Sequence, residues 1–147
     1  MNRFFAHCRV SLAAAVLTVL ALTASRAPAG EIPFSAEGTF TFVIGGGRAE
    51  VSGDGHAGPG GAFTFRDTVR DRHEHGTAMI EGMITLNFAS GSTLTIYYEA
   101  PNVDGVVEGP YWVVGGTGLF EGATGYGTIW YPIGQGAPFT LDGELEF

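Results

Sequence analysis

The chain has no lysine, one cysteine and little charge of either sign, with charged residues making up 15% of its 147 positions. Each shortage excludes something. Seven basic residues, all arginine, face fifteen acidic ones for a net charge of −8, which argues against nucleic acid or an anionic membrane surface as partner. Phosphate binding needs clustered cations, and there is no cluster to supply them. The single cysteine, Cys8, lies ahead of the first apolar run, so beyond that run the chain offers no thiol, disulfide, cysteine ligand or nucleophile. Low charge does not signal disorder, because 45% of the residues are hydrophobic. Long helix-favouring runs are scarce as well. Glycine is in surplus instead, with 24 residues, and it follows no Gly-X-Y period, which excludes collagen.

Residues 1–29 read as a secretory signal peptide. Arg3 and Arg9 form the basic start, Val10 to Leu22 the apolar stretch, and Ala27-Pro28-Ala29 the small residues before a cleavage point. The stretch falls short of the ~20 apolar residues that span a bilayer, so the alternative of an uncleaved anchor is the weaker one. Cleavage before Gly30 leaves Arg48, Arg66, Arg70 and Arg72 against fifteen acids, a net charge of −11. The expectation is a single domain over residues 30–147, secreted or periplasmic, with no membrane contact in its mature form.

Within that domain the dominant signal is alternation. Phe34, Ala36, Gly38, Phe40, Phe42 and Ile44 share one face of an extended segment, with Ser35, Glu37, Thr39 and Thr41 on the other. A short strand is expected over Arg48–Gly53, followed by a loop over His56–Gly61. Further strands are expected over Gly61–Asp71, Gly76–Phe88, Ser92–Ala100, Pro110–Gly115, Gly125–Ile133 and Phe139–Phe147. Eight strands with short connections and no covering helix must pair into a sandwich or close on themselves. The favoured fold is all-β, a lipocalin-like, eight-stranded antiparallel up-and-down barrel whose interior holds side chains or one small ligand.

Val113–Gly127 reads V-V-G-G-T-G-L-F-E-G-A-T-G-Y-G. Gly115, Gly116 and Gly118 suit backbone angles that a side chain forbids, Phe120 can fold back as an apolar plug, and Gly122 and Gly125 let the chain re-enter a strand. A phosphate loop is disfavoured, because no helix follows and no Lys-Ser/Thr pair is present. The stretch resembles the corner motif of the dirigent and allene oxide cyclase barrel families. Gly115-Gly116-Thr117-Gly118 and Ala123 are similar to the dirigent pattern, and Leu119-Phe120-Glu121-Gly122 to the cyclase one; Thr124 stands where dirigent proteins have arginine. The resemblance implies an eight-stranded barrel with an apolar cavity, often assembled as a trimer. It implies cyclisation of an unsaturated fatty-acid epoxide or guidance of phenoxy-radical coupling as activities. The motif marks architecture rather than catalysis.

Asp67 shares a face with Phe63, Phe65 and Val69, so in a barrel it points inward, where a carboxylate must be hydrogen-bonded, paired or protonated. It is the candidate acid/base or polar anchor, with a wet strand end or a structural ion pair as the plainer alternative. Tyr98, on the apolar face of its strand, is its natural partner or else ordinary core. The expected enclosure is Phe40, Phe42, Phe63, Phe65, Ile80, Ile84, Leu94, Ile96 and Leu141, selecting a small apolar or aromatic ligand by shape, without a cofactor. His73 and His75 fall on one side of an Arg70–His75 run, but with no third ligand the run reads as a solvated loop and no metal is expected. Met79 and Met83, on the outward face, suggest a subunit interface. Shape-selective enclosure is the leading functional reading. The alternatives are a cyclase or isomerase using Asp67, and a barrel whose interior is simply filled.

Overall fold

The computed structural model describes residues 30–147, so the expected signal peptide lies outside the described residues. Eight strands follow one another: β1 (Glu31–Gly45), β2 (Arg48–Gly58), β3 (Gly61–Glu74), β4 (Thr77–Phe88), β5 (Thr93–Val103), β6 (Val106–Thr117), β7 (Thr124–Pro132) and β8 (Ala137–Glu146). Each pairs antiparallel with the next, and β8 returns to pair with β1, closing the barrel. The expected all-β up-and-down barrel is what forms. Closure is the physical answer to a chain of half-buried strands without helices, since it leaves no unpaired edge.

Two segments expected as loop are strand, and the strand expected over Pro110–Gly115 runs from Val106 to Thr117. The strand expected to stop at Gly53 runs on to Gly58, so His56 is in β2 rather than in a loop. The inward positions Gly53 and Gly55 carry no hydrophobic signal of their own, because rings from β3 occupy their space. A Cβ at Gly53 would come within 2.6 Å of the Phe65 ring, and one at Gly55 within 2.7 Å of the Phe63 ring. Likewise the Arg70–Glu74 run is strand, not loop, paired to β4 from Arg70↔Glu81 to Glu74↔Thr77. The turn is confined to His75 and Gly76, both at positive φ. Charge on the outward face of a long strand looks like a loop when only composition is read.

The barrel has two unlike ends. One carries the β2–β3 and β4–β5 turns and the 3-10 turn Gly118–Phe120 between β6 and β7. Phe120, 0% exposed, plugs it and packs on Phe88 at 4.8 Å between ring centroids; Phe63 lies 5.7 Å from Phe88 and 6.2 Å from Phe139. The corner motif builds this plug. Gly118 sits at φ +60, and a Cβ on Gly116 would collide with the Phe120 carbonyl oxygen. Thr117 Oγ1 accepts the Thr93 N–H at 3.2 Å, and buried Ser92 accepts the Leu119 N–H through Oγ at 3.0 Å. Gly115 and Gly116 correct the sequence reading, since neither has a positive φ. Gly116 serves close approach instead, while the space beside Gly115 is open where it neighbours the β-bulge at which Thr95↔Gly115 gives way to Ile96↔Val113. The other end carries the β1–β2, β3–β4, β5–β6 and β7–β8 turns and is open.

Candidate functional site

The open end leads into a cavity of about 310 Å³, at the small end of the ~300–1,000 Å³ typical of ligand-holding clefts. Its walls are inward side chains from the mouth-side halves of every strand except β6. Of the residues expected to enclose a ligand, Phe40, Phe42, Phe65, Ile80, Ile84 and Tyr98 line it, together with Asp67. Phe63, Leu94, Ile96 and Leu141 do not. They are buried in the filled part of the barrel, because alternation assigns them the inner face without saying how far along the axis they sit. Arg48, Asp71 and Asn102 lie at the rim.

Asp67 is the one carboxylate in the apolar wall. Pairing between β3 and β4 lapses between Arg66↔Thr85 and Arg70↔Glu81, with the register unchanged on either side. In that gap the Asp67 side chain turns on its own backbone, and its Oδ1 accepts the Thr68 N–H. The other oxygen, Oδ2, is buried and has no hydrogen-bond partner. Desolvation dominates the titration, raising the carboxyl from 3.8 to about 6 against the downward pull of the Thr68 amide. The Met83 amide adds a smaller pull without reaching hydrogen-bond geometry.

Beside it stands a pair of phenols. Tyr98 and Tyr131 meet hydroxyl to hydroxyl at 3.0 Å, with rings edge-to-face at 90°. Burial pushes the Tyr131 phenol up to about 12 and the Tyr98 phenol well above its ordinary value, with the nearby Asp67 charge raising both further. Both phenols are therefore neutral near pH 7. Two hydroxyls bring two protons and use one between them, so the pair keeps one to donate. Gly82 makes the arrangement fit. A Cβ there would lie 2.7 Å from the Tyr98 ring and 2.8 Å from Asp67 Oδ2, so ring and carboxyl share the space over that glycine.

Sequence reasoning missed Tyr131 and Gly82. Tyr131 is in phase with Ile129 on β7, but the preceding inward positions are Gly125 and Gly127, which blank the pattern. Gly82 falls in phase between Ile80 and Ile84; a glycine there signals close approach. Among the described residues no three His, Cys, Asp or Glu side chains converge as metal ligands, and His73 instead lies 3.7 Å from Asp71. The site thus presents an apolar slot with one acceptor, Asp67 Oδ2, and one donor, the tyrosine pair. That combination can hold and orient a single polar group on an otherwise apolar molecule.

No protein-family model and no curated protein matches the chain. Solved structures do. One pterocarpan synthase dirigent protein aligns with a TM-score of 0.57 at 17% identity, covering 80% of this chain and 84% of its own. A second aligns with a TM-score of 0.53 at 17% identity, covering 80% of this chain and 93% of its own. At that identity the likeness is one of fold, and the chain has the dirigent-type barrel.

Proposed function

We propose that the barrel encloses a small apolar or aromatic molecule and fixes its one polar group against Asp67 and the Tyr98–Tyr131 hydroxyls. The observation that carries this is Asp67 Oδ2, buried at an apolar cavity without a partner. A buried unpaired acceptor costs about 1–3 kcal/mol, a burden that a bound donor relieves. The open half of the interior weighs against a simply filled barrel. The fold shared with pterocarpan synthase dirigent proteins agrees with guidance by shape. We further propose export, from the reading of residues 1–29, and self-association through an outward row of cross-strand neighbours, Met83, Tyr97, Trp112 and Tyr126. Met83 is 55% exposed, and sedimentation would report the assembly.

Enclosure is tested by titrating the protein with the neutral fluorophore N-phenyl-1-naphthylamine. Saturable binding is expected, lost in Ile84→Trp, which fills the cavity while circular dichroism stays unchanged. No binding, or undiminished binding in Ile84→Trp, overturns the reading.

A second reading is favoured by the titration of Asp67. A carboxyl that exchanges its proton at about 6 is suited to general acid or base work near neutral pH. In this reading the barrel is a cyclase or isomerase acting on an unsaturated substrate. Asp67→Asn would then abolish turnover and leave binding intact.

A further inference from the structure

We infer that the enclosed molecule is a cation, an apolar or aromatic amine whose protonated nitrogen docks on Asp67 Oδ2. The inference rests on the enclosure reading and names the ligand class for that same cavity. Every wall of the slot bears on the choice. The strands β1, β4 and β8 contribute only apolar side chains to the lining, namely Phe40, Phe42, Ile44, Ile80, Ile84 and Phe139. The titratable or charged groups are Arg48 on β2, Asp67 and Asp71 on β3, Tyr98 on β5 and Tyr131 on β7. Among the described residues no cation pairs with Asp67; the ion pairs join Arg70 to Glu81, Arg72 to Glu74 and Glu99, and His73 to Asp71.

An anionic ligand would enter past Asp71, meet Asp67, and find inside only the single spare proton of the tyrosine pair. Arg48 cannot answer it at depth, since it is an exposed rim residue. A neutral hydroxyl could satisfy Oδ2 but would leave its charge uncompensated at a buried oxygen, where an unpaired charge is expensive. An ammonium answers both needs. It brings several N–H donors, one for Oδ2 and the others for the tyrosine oxygens, and its charge balances the carboxylate. The aromatic walls favour the same sign, because Phe40, Phe65 and Tyr131 present rings whose faces attract cations. The acidic balance of the whole chain, net −8, attracts cations to the protein as well.

Three probes of nearly one shape decide the matter by calorimetry on the purified protein: 1-naphthylmethylamine, 1-naphthalenemethanol and 1-naphthoic acid. At about pH 7.5 the amine should bind at least roughly tenfold tighter than the alcohol, and the acid more weakly than either. At about pH 5 the amine keeps its charge while Asp67 takes up its proton, so the advantage should shrink to about threefold or less. Asp67→Asn should shrink the amine's advantage over the alcohol in the same way at about pH 7.5; should that variant not fold, the pH comparison on the native protein stands by itself. Equal binding of amine and alcohol, or tightest binding of the acid, overturns the cation while leaving enclosure standing. Failure of all three probes to bind overturns enclosure, and the cation with it.

Discussion

Strand β1 runs the length of the barrel and shows how differently its two ends are built. Phe34 and Ile44 share one face, yet Phe34 is 2% exposed and Ile44 74%. At the closed end, rings from β3, β4, β8 and the corner turn interlock, with Phe63, Phe88 and Phe120 in tilted or edge-on contact. At the open end Phe42, Val51 and Val69 are only partly buried around the cavity. The strands are continuous through both halves, so the backbone ladder is common to them and side-chain packing makes the difference. Packing density is where core stability comes from. The closed half thus holds the fold, and the open half is free to carry a buried, unpartnered carboxylate.

The largest expected effect tests that division. Phe120→Ala removes a fully buried ring from the plug, and a cavity of that size should cost about 3–5 kcal/mol of unfolding free energy in urea titration. Phe42→Ala removes the same ring from a half-buried wall of the cavity and should cost no more than about half as much. Equal losses would break the division between the ends. Gly82→Ala should come next, at about 1–3 kcal/mol, since a methyl there overlaps the Tyr98 ring and the Asp67 carboxyl. The same methyl should weaken binding of the naphthyl probes, a readout that the Phe120 variant, if folded, would leave unchanged.

The carboxylate contrast shows in pH dependence. Asp67 has its folded pKa raised from 3.8 to about 6, so the folded state holds this proton more tightly than the unfolded chain does. Its stabilising contribution is full below the lower value and is lost as pH rises through the upper one. After discounting for its partial exposure, ionised Asp67 should destabilise the fold by about 1–2 kcal/mol at neutral pH. Asp67→Asn, which cannot ionise, should therefore gain about that much on the native protein between about pH 3.5 and pH 7.5. A constant difference across that window would show that Asp67 titrates as an ordinary surface acid.

The face of each strand was legible in the sequence because it depends on a period of two, and every side chain in phase votes for it. That is why the pattern places Phe34, Phe65, Asp67 and Tyr98 inward, as the structure does. Depth along the barrel axis has no such period. It depends on strand tilt and stagger, which pair residues across strands rather than along them. Phe63, Leu94, Ile96 and Leu141 were consequently expected to face a ligand, and they lie in the filled half instead. Glycines hid the rest. Where an inward glycine accommodates a neighbour's ring, as Gly53 does for Phe65 or Gly82 for Tyr98, the hydrophobic pattern lapses at a position that is fully used. The corner motif was legible as a plug, because Phe120 follows its glycines directly.

The smallest effect concerns how each end is tied. At the closed end buried Ser92 holds the Leu119 N–H. At the open end Gln135, in the β7–β8 loop, pairs twice with the overhanging part of β1: its Oε1 accepts the Phe42 N–H at 3.2 Å and its Nε2 donates to the Phe42 carbonyl at 2.6 Å. Ser92→Ala leaves the part-buried Leu119 N–H without its partner, which should cost about 1–2 kcal/mol. Gln135→Ala removes two bonds, but both are exposed and water can replace them, so the loss should stay below about 1 kcal/mol. Its signature should be local instead. Amide exchange at Phe42 should accelerate while Leu86 and Leu94, buried in the closed half, keep their protection. If exchange instead rose equally at both ends, the barrel would open as one unit. The mouth would then have no freedom of its own with which to admit a ligand.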